Sequence, residues 1–117
     1  MTDDKTITIE DVANQAGISL DSLSEECSQT VLLDLAKYCV DWHLVGKRLG
    51  LSDADITAVN SDNSTEDKKR VGVLEKWKDR CAFRATYRVF IEALLSQGMT
   101  QTAVEACKVI GAAASRQ

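Results

Sequence analysis

The sequence predicts an all-α protein, and three observations carry that reading. Proline is absent, glycine occurs only six times in 117 residues, and aromatic residues make up 5%, a balance that suits helices and argues against a turn-rich sandwich or barrel. Apolar residues recur at helical spacing, most clearly at Tyr87, Phe90, Ile91, Leu94 and Leu95, an i, i+3, i+4, i+7, i+8 stripe wide enough for a central helix. Side chains able to cap helices stand ahead of several such runs, and glycines follow them.

Taken in order, residues 1–5 read as a polar tail, and Thr8-x-x-Asp11 with Gly17 as a stop brackets a short helix over 9–16, expected outside the main bundle. Ser22-x-x-Glu25 has the capping-box pattern, and Val31, Leu32, Leu35, Ala36 and Cys39 follow it at helical spacing, giving a first bundle helix up to Cys39. After a break at Val40-Asp41, the face Trp42, Val45, Gly46 and Leu49 marks a short second helix that Gly50 ends. Ser52-x-x-Asp55 caps a third helix of barely two turns, with Ile56 and Val59 pointing inward. The polar run 60–65 is a connector from which Ser64 or Thr65 caps a fourth helix, its inner stripe Val71, Leu74, Trp77 and Cys81 and its lysines Lys68, Lys69, Lys76 and Lys78 turned mainly to water. The fifth helix is the Tyr87–Leu95 stripe, Gln97-Gly98-Met99 turns the chain, and Ala103, Ala106, Cys107 and Ile110 give a sixth helix before an unstructured end over 113–117.

Formal charge is −4, with residues 1–36 holding eight acids and one lysine and residues 37–117 thirteen bases and ten acids. An acidic leader ahead of a mixed-charge body points to a surface that pairs with its own kind rather than to nucleic acid. No apolar run approaches the roughly 20 residues of a membrane span, and no hydrophobic leader is present, so a soluble cytoplasmic protein without membrane insertion is expected. Four cysteines at 27, 39, 81 and 107 form no Cys-x-x-Cys pair and one histidine accompanies them, which reads as reduced thiols without metal or other cofactor; Cys27 is the one expected to be exposed.

The string Asp41-Trp42-x-x-Val45-Gly46-x-x-Leu49-Gly50-Leu51-Ser52, followed by Ile56 and Val59, Leu74-x-x-Trp77, Ala85-Thr86, Phe90 and Leu94, resembles a death domain over roughly residues 29–110. The resemblance implies an antiparallel six-helix bundle over 22–112, with 1–21 as a leader carrying a short extra helix. Trp42, Leu49, Ile56, Leu74, Trp77, Phe90 and Leu94 fall on its core stripes. It further implies a non-enzymatic adaptor that assembles signalling complexes of the apoptotic, innate-immune or NF-kappaB kind. Its partners would be other death-domain proteins, whether receptor tail, adaptor or kinase, with self-association into oligomers. Three asymmetric contacts come with that family: the second and third helices against the first and fourth, the fourth helix and its following loop against the fifth-to-sixth loop, and the third helix against neighbouring loops. Carried over residue by residue, these select Lys47, Arg48, Asp53 and Asp55 at the second and third helices. They also select Asp79 and Arg80 at the end of the fourth, and Gly98 and Gln101 at the fifth-to-sixth corner. Gly46 stands where the family often has alanine, a departure that costs about 1 kcal/mol of helix propensity.

Two rival readings come from other classes. Residues 6–30 resemble the start of the helix-turn-helix in lactose-repressor-type regulators, which implies duplex DNA as partner. The segment after Ser19 instead carries Asp21, Glu25 and Glu26 and no base before Lys37, so phosphate would repel it. A cysteine enzyme would need His43 to pair with a thiol, the nearest in sequence being Cys39 on the core stripe, and nothing in the sequence supplies an oxyanion hole.

Overall fold

The structure, a computed structural model, describes residues 7–115. The polar tail expected over 1–5 and the last two residues of the expected unstructured end lie outside the described residues. The described chain is all-helical: α1 Ile9–Ala16, α2 Leu20–Leu23, α3 Gln29–Leu35, α4 Trp42–Arg48, α5 Asp53–Asp62, α6 Glu66–Cys81, α7 Tyr87–Ser96 and α8 Thr100–Ser115. Short 3₁₀ turns at Ala36–Tyr38 and Ala82–Arg84 extend α3 and α6.

Local chemistry explains most of the boundaries. Thr8 and Ser52 each accept from the backbone of the residue three places on, Asp11 and Asp55, whose carboxylates accept in return from the Thr8 and Ser52 N–H groups. Asp41 caps α4 through the Leu44 N–H, and Thr65 rather than Ser64 caps α6 through the Lys68 N–H. Gly50 closes α4: its N–H donates to the Lys47 carbonyl while the Leu51 N–H reaches Gly46, a pairing that needs the left-handed φ of 96° found there. The same paired closure recurs at Gly17 after α1 and at Gly98 after α7.

Four expectations about the helices are corrected. The helix expected from Ser22 to Cys39 is split, because Ser28 and not Ser22 caps α3 by accepting from the Val31 N–H. Residues 24–28 spend their backbone groups elsewhere: Cys27 N–H donates to the Ala85 carbonyl at 2.9 Å, Tyr87 N–H to the Glu25 carbonyl at 3.1 Å, and Ser28 N–H to the Tyr87 hydroxyl at 3.1 Å. A segment pinned in this extended way cannot continue a helix. The helix over 9–16 does not lie outside the bundle, for α1 buries Ile9, Val12 and Ala13 and packs on α8 and α7. Residues 113–115 continue α8 instead of fraying, and α5 runs to Asp62, longer than two turns.

The core runs through all eight helices among the described residues. Leu49, Ile56, Leu74, Trp77, Phe90 and Leu94 are buried in it, Trp77 with its ring centroid 6.5 Å from that of Phe90. Val73 is fully buried although the sequence stripe named Val71, which is half-buried, as is Cys81. Cys27, expected exposed, is fully buried, since its N–H pairing with Ala85 draws it under the α6–α7 connection. Trp42 sits half-buried at the bundle edge: its indole N–H donates to Glu66 at 3.1 Å, and the Lys69 ammonium lies 5.9 Å over its ring.

Gly46 explains its own departure. A Cβ at that position would lie 2.7 Å from Val73 Cγ2 and closer still to Ile56 Cδ1, so the missing methyl is what lets α4 approach α5 and α6. Alanine would gain about 1 kcal/mol of helix propensity but overpack two buried side chains at about 1–3 kcal/mol. Gly46→Ala is therefore expected to lower the urea midpoint. A raised midpoint would show that the helices yield freely. The two tryptophans should also separate in chemical denaturation: Trp77→Ala is expected to cost about 3–5 kcal/mol, and Trp42→Ala less because Trp42 is only half-buried.

Candidate interaction surface

The residues selected from the sequence fall into two built ion pairs and several free positions. α4 ends in Lys47 and Arg48, cations at the negative end of its dipole, and the Gly50 closure turns the chain sharply into Ser52 and α5. That turn brings Lys47 Nζ onto the Asp53 carboxylate, with side chains 41% and 86% exposed. The ammonium hydrogen bond beside Asp53 holds its carboxyl below the ordinary value. Arg48 is exposed next to this pair and makes no ion pair among the described residues. The α4–α5 corner thus presents a cation, a dipolar pair and the exposed His43, whose ring stands 5.9 Å from that of Trp42.

Asp55 belongs to the fold rather than to this surface, which corrects its selection as a contact. Only 7% of it is exposed, and its Oδ1 accepts from Arg80 Nε at 3.2 Å and Nη2 at 2.6 Å while Oδ2 accepts from the Ser52 N–H. The Arg80 hydrogen bonds hold the Asp55 carboxyl low and raise the guanidinium in turn. One carboxylate therefore caps α5 and ties it to the far end of α6. Arg80 is spoken for in the same way, while Asp79 is exposed beside it. Gly98 and Gln101 lie exposed at the α7–α8 corner, where Gly98 closes α7 and Gln101 donates to Glu105 at 3.1 Å.

One side chain was overlooked in the sequence. Phe83, in the turn after α6, is 76% exposed. It lies off every apolar stripe, and that misfit was the available signal. Val40, Leu33 and Leu44 are further exposed apolar residues.

The rival chemistries meet physical obstacles. Burial pushes the Cys39 thiol up to about 12, so at neutral pH it holds its proton and is a poor partner for His43. Burial likewise raises Cys27 and Cys107 to about 11. In the 6–30 segment α2 is a single turn whose Leu23 is buried and whose Asp21 is exposed, with Glu25 and Glu26 exposed just beyond it. Phosphate would meet carboxylates there. No helix among the described residues is long and apolar enough to cross a membrane. No protein-family model, curated protein or solved structure matches the chain.

The Asp55–Arg80 link has a pH signature. Because the folded carboxyl titrates below its ordinary 3.8, its stabilisation is complete above that value and disappears as pH falls through the lower folded value. Thermal melts should therefore show wild type well above Asp55→Asn near neutrality, with the gap closing on acidification below pH 3.8. A gap that stays constant into strong acid would mean that Asp55 acts through something other than its charge.

Proposed function

We propose that the chain is a non-enzymatic interaction module of the death-domain kind, in which α2–α3 together, α4, α5, α6, α7 and α8 supply the six antiparallel helices and α1 is an addition docked on the last two. Its work is homotypic association: it joins a receptor tail, adaptor or kinase that carries a similar domain in the cytoplasm. Raising the local concentration of that partner lets the partner's own chemistry proceed in an apoptotic or innate-immune signalling complex.

The observation that carries this reading is the α4–α5 corner. A short helix ending in Lys47 and Arg48 turns through Gly50 into an acid at Asp53, all exposed, on a backbone held rigid beneath by the contact of Gly46 with Ile56 and Val73. Rigid support under an exposed dipolar patch is what charge-steered docking needs, since such pairs set orientation and on-rate more than affinity. The internal Lys47–Asp53 contact does not use up the patch, because both side chains keep much of their exposure.

Charge reversal tests it. Lys47→Glu and Asp53→Lys are each expected to weaken self-association or partner capture about tenfold or more, while the melting temperature moves by no more than about 3 °C. A chain carrying both reversals keeps an internal pair of inverted polarity and is expected to lose capture of the unmodified chain as well. Light scattering across concentration and salt reads all three. Undiminished association in every variant would sink the assignment.

A further inference from the structure

The turn that follows α6 carries backbone strain. Ala82 has φ 51° and ψ −124°, a combination that a residue with a Cβ adopts only under strain. Both ends of the turn are fixed: Ala82 N–H donates to the Lys78 carbonyl, and buried Ala85 accepts from Cys27 N–H at 2.9 Å. Between them Phe83 is 76% exposed, the most exposed large apolar side chain among the described residues, and Arg84 stands beside it, exposed and without an ion pair. A single exposed apolar residue is ordinary. One held outward on a strained turn pinned at both ends is not, because the pinned backbone fixes where the ring stands.

A groove of opposite charge lies on the same molecule. The groove between α5 and α6, of about 430 Å³, is lined by Val59, Asn63 and Gly72, with the exposed acids Asp62, Glu75 and Asp79 set against the single Lys76. Val59 and Gly72 give its floor a small apolar footing for a ring, and its acids an anionic surround for a guanidinium. Phe83 cannot fold back into its own groove, since it directly follows one fixed end, Ala82, and only Arg84 separates it from the other, Ala85.

We infer that Phe83 and Arg84 dock into the α5–α6 groove of a second copy of this chain. In this arrangement a two-fold axis relates the copies, so both contacts are exchanged at once and the assembly closes at two. Lys47 and Asp53 take no part. This surface is distinct from the one proposed above, and each can fail without the other.

The experiment is sedimentation equilibrium of the full chain in a Lys47→Glu background, which silences the first surface. The expected result is a concentration-dependent dimer. Phe83→Ala, Arg84→Glu and Asp62→Lys should each weaken it about tenfold or more, with unchanged circular dichroism since all three side chains are exposed. Mixing the Arg84→Glu chain with the Asp62→Lys chain should restore dimers, because in a two-fold pair one contact keeps the original charges and the other carries both reversals. A chain that stays monomeric at every concentration, a dimer indifferent to Phe83→Ala, or a mixture that remains dissociated would each overturn the inference. Loss on Lys47→Glu alone, with these variants neutral, would leave only the first surface standing.

Discussion

Two main-chain hydrogen bonds, from Cys27 to Ala85 and from Tyr87 to Glu25, hold the architecture in register. They join segments nearly sixty residues apart without forming a sheet, and the Tyr87 hydroxyl reinforces them by accepting from Ser28 and donating back to its side chain. Everything around that seam follows from it. α3 begins at Ser28 because the preceding residues are already committed, Cys27 becomes buried, and the turn carrying Phe83 has a fixed far end. Such pairings cost loop-closure entropy that local helix contacts do not, and each buried donor they satisfy avoids a penalty of about 1–3 kcal/mol.

A second constraint is the sparing use of small residues at crossings. Gly46 admits Ile56 and Val73, and Gly111 in α8 admits Ile18 from the α1–α2 turn, where an added Cβ would collide with its side chain. Close approach at these two points brings the charged corner of α4 and α5 onto a stiff base and seats the first helix on the last. The exposed charges are then decorations on rigid supports rather than mobile tails. Rigid presentation matters for a surface meant to dock, since ordering it at the moment of contact would otherwise cost binding energy.

Much of the fold was legible in the sequence because its signals are local. The caps at Thr8, Ser52 and Thr65, the stops at Gly17, Gly50 and Gly98, and the Tyr87–Leu94 stripe need only a few neighbouring residues to be read. What escaped was set at a distance. Ser22 and Ser28 are equally good caps in isolation, and only the seam to Ala85 and Tyr87 decides between them. The docking of α1 depends on the face of α8, which its own eight residues cannot announce. At the surface, Lys47 and Asp53 were recognised as charged and exposed, yet their mutual contact depends on the tightness of the Gly50 turn. Asp55 was assigned outward because its partner Arg80 lies 25 residues away. Phe83 fell outside every pattern that periodicity can detect.

The seating of α1 on α8 also governs when the chain can finish folding. Ile9, Val12 and Ala13 are synthesised well before α8, yet the surface that covers them includes that helix, with Ile18 seated against Gly111. Before α8 emerges that greasy face lacks its main mate. It stays available to chaperones or to stray association until the closing turns of the last helix emerge.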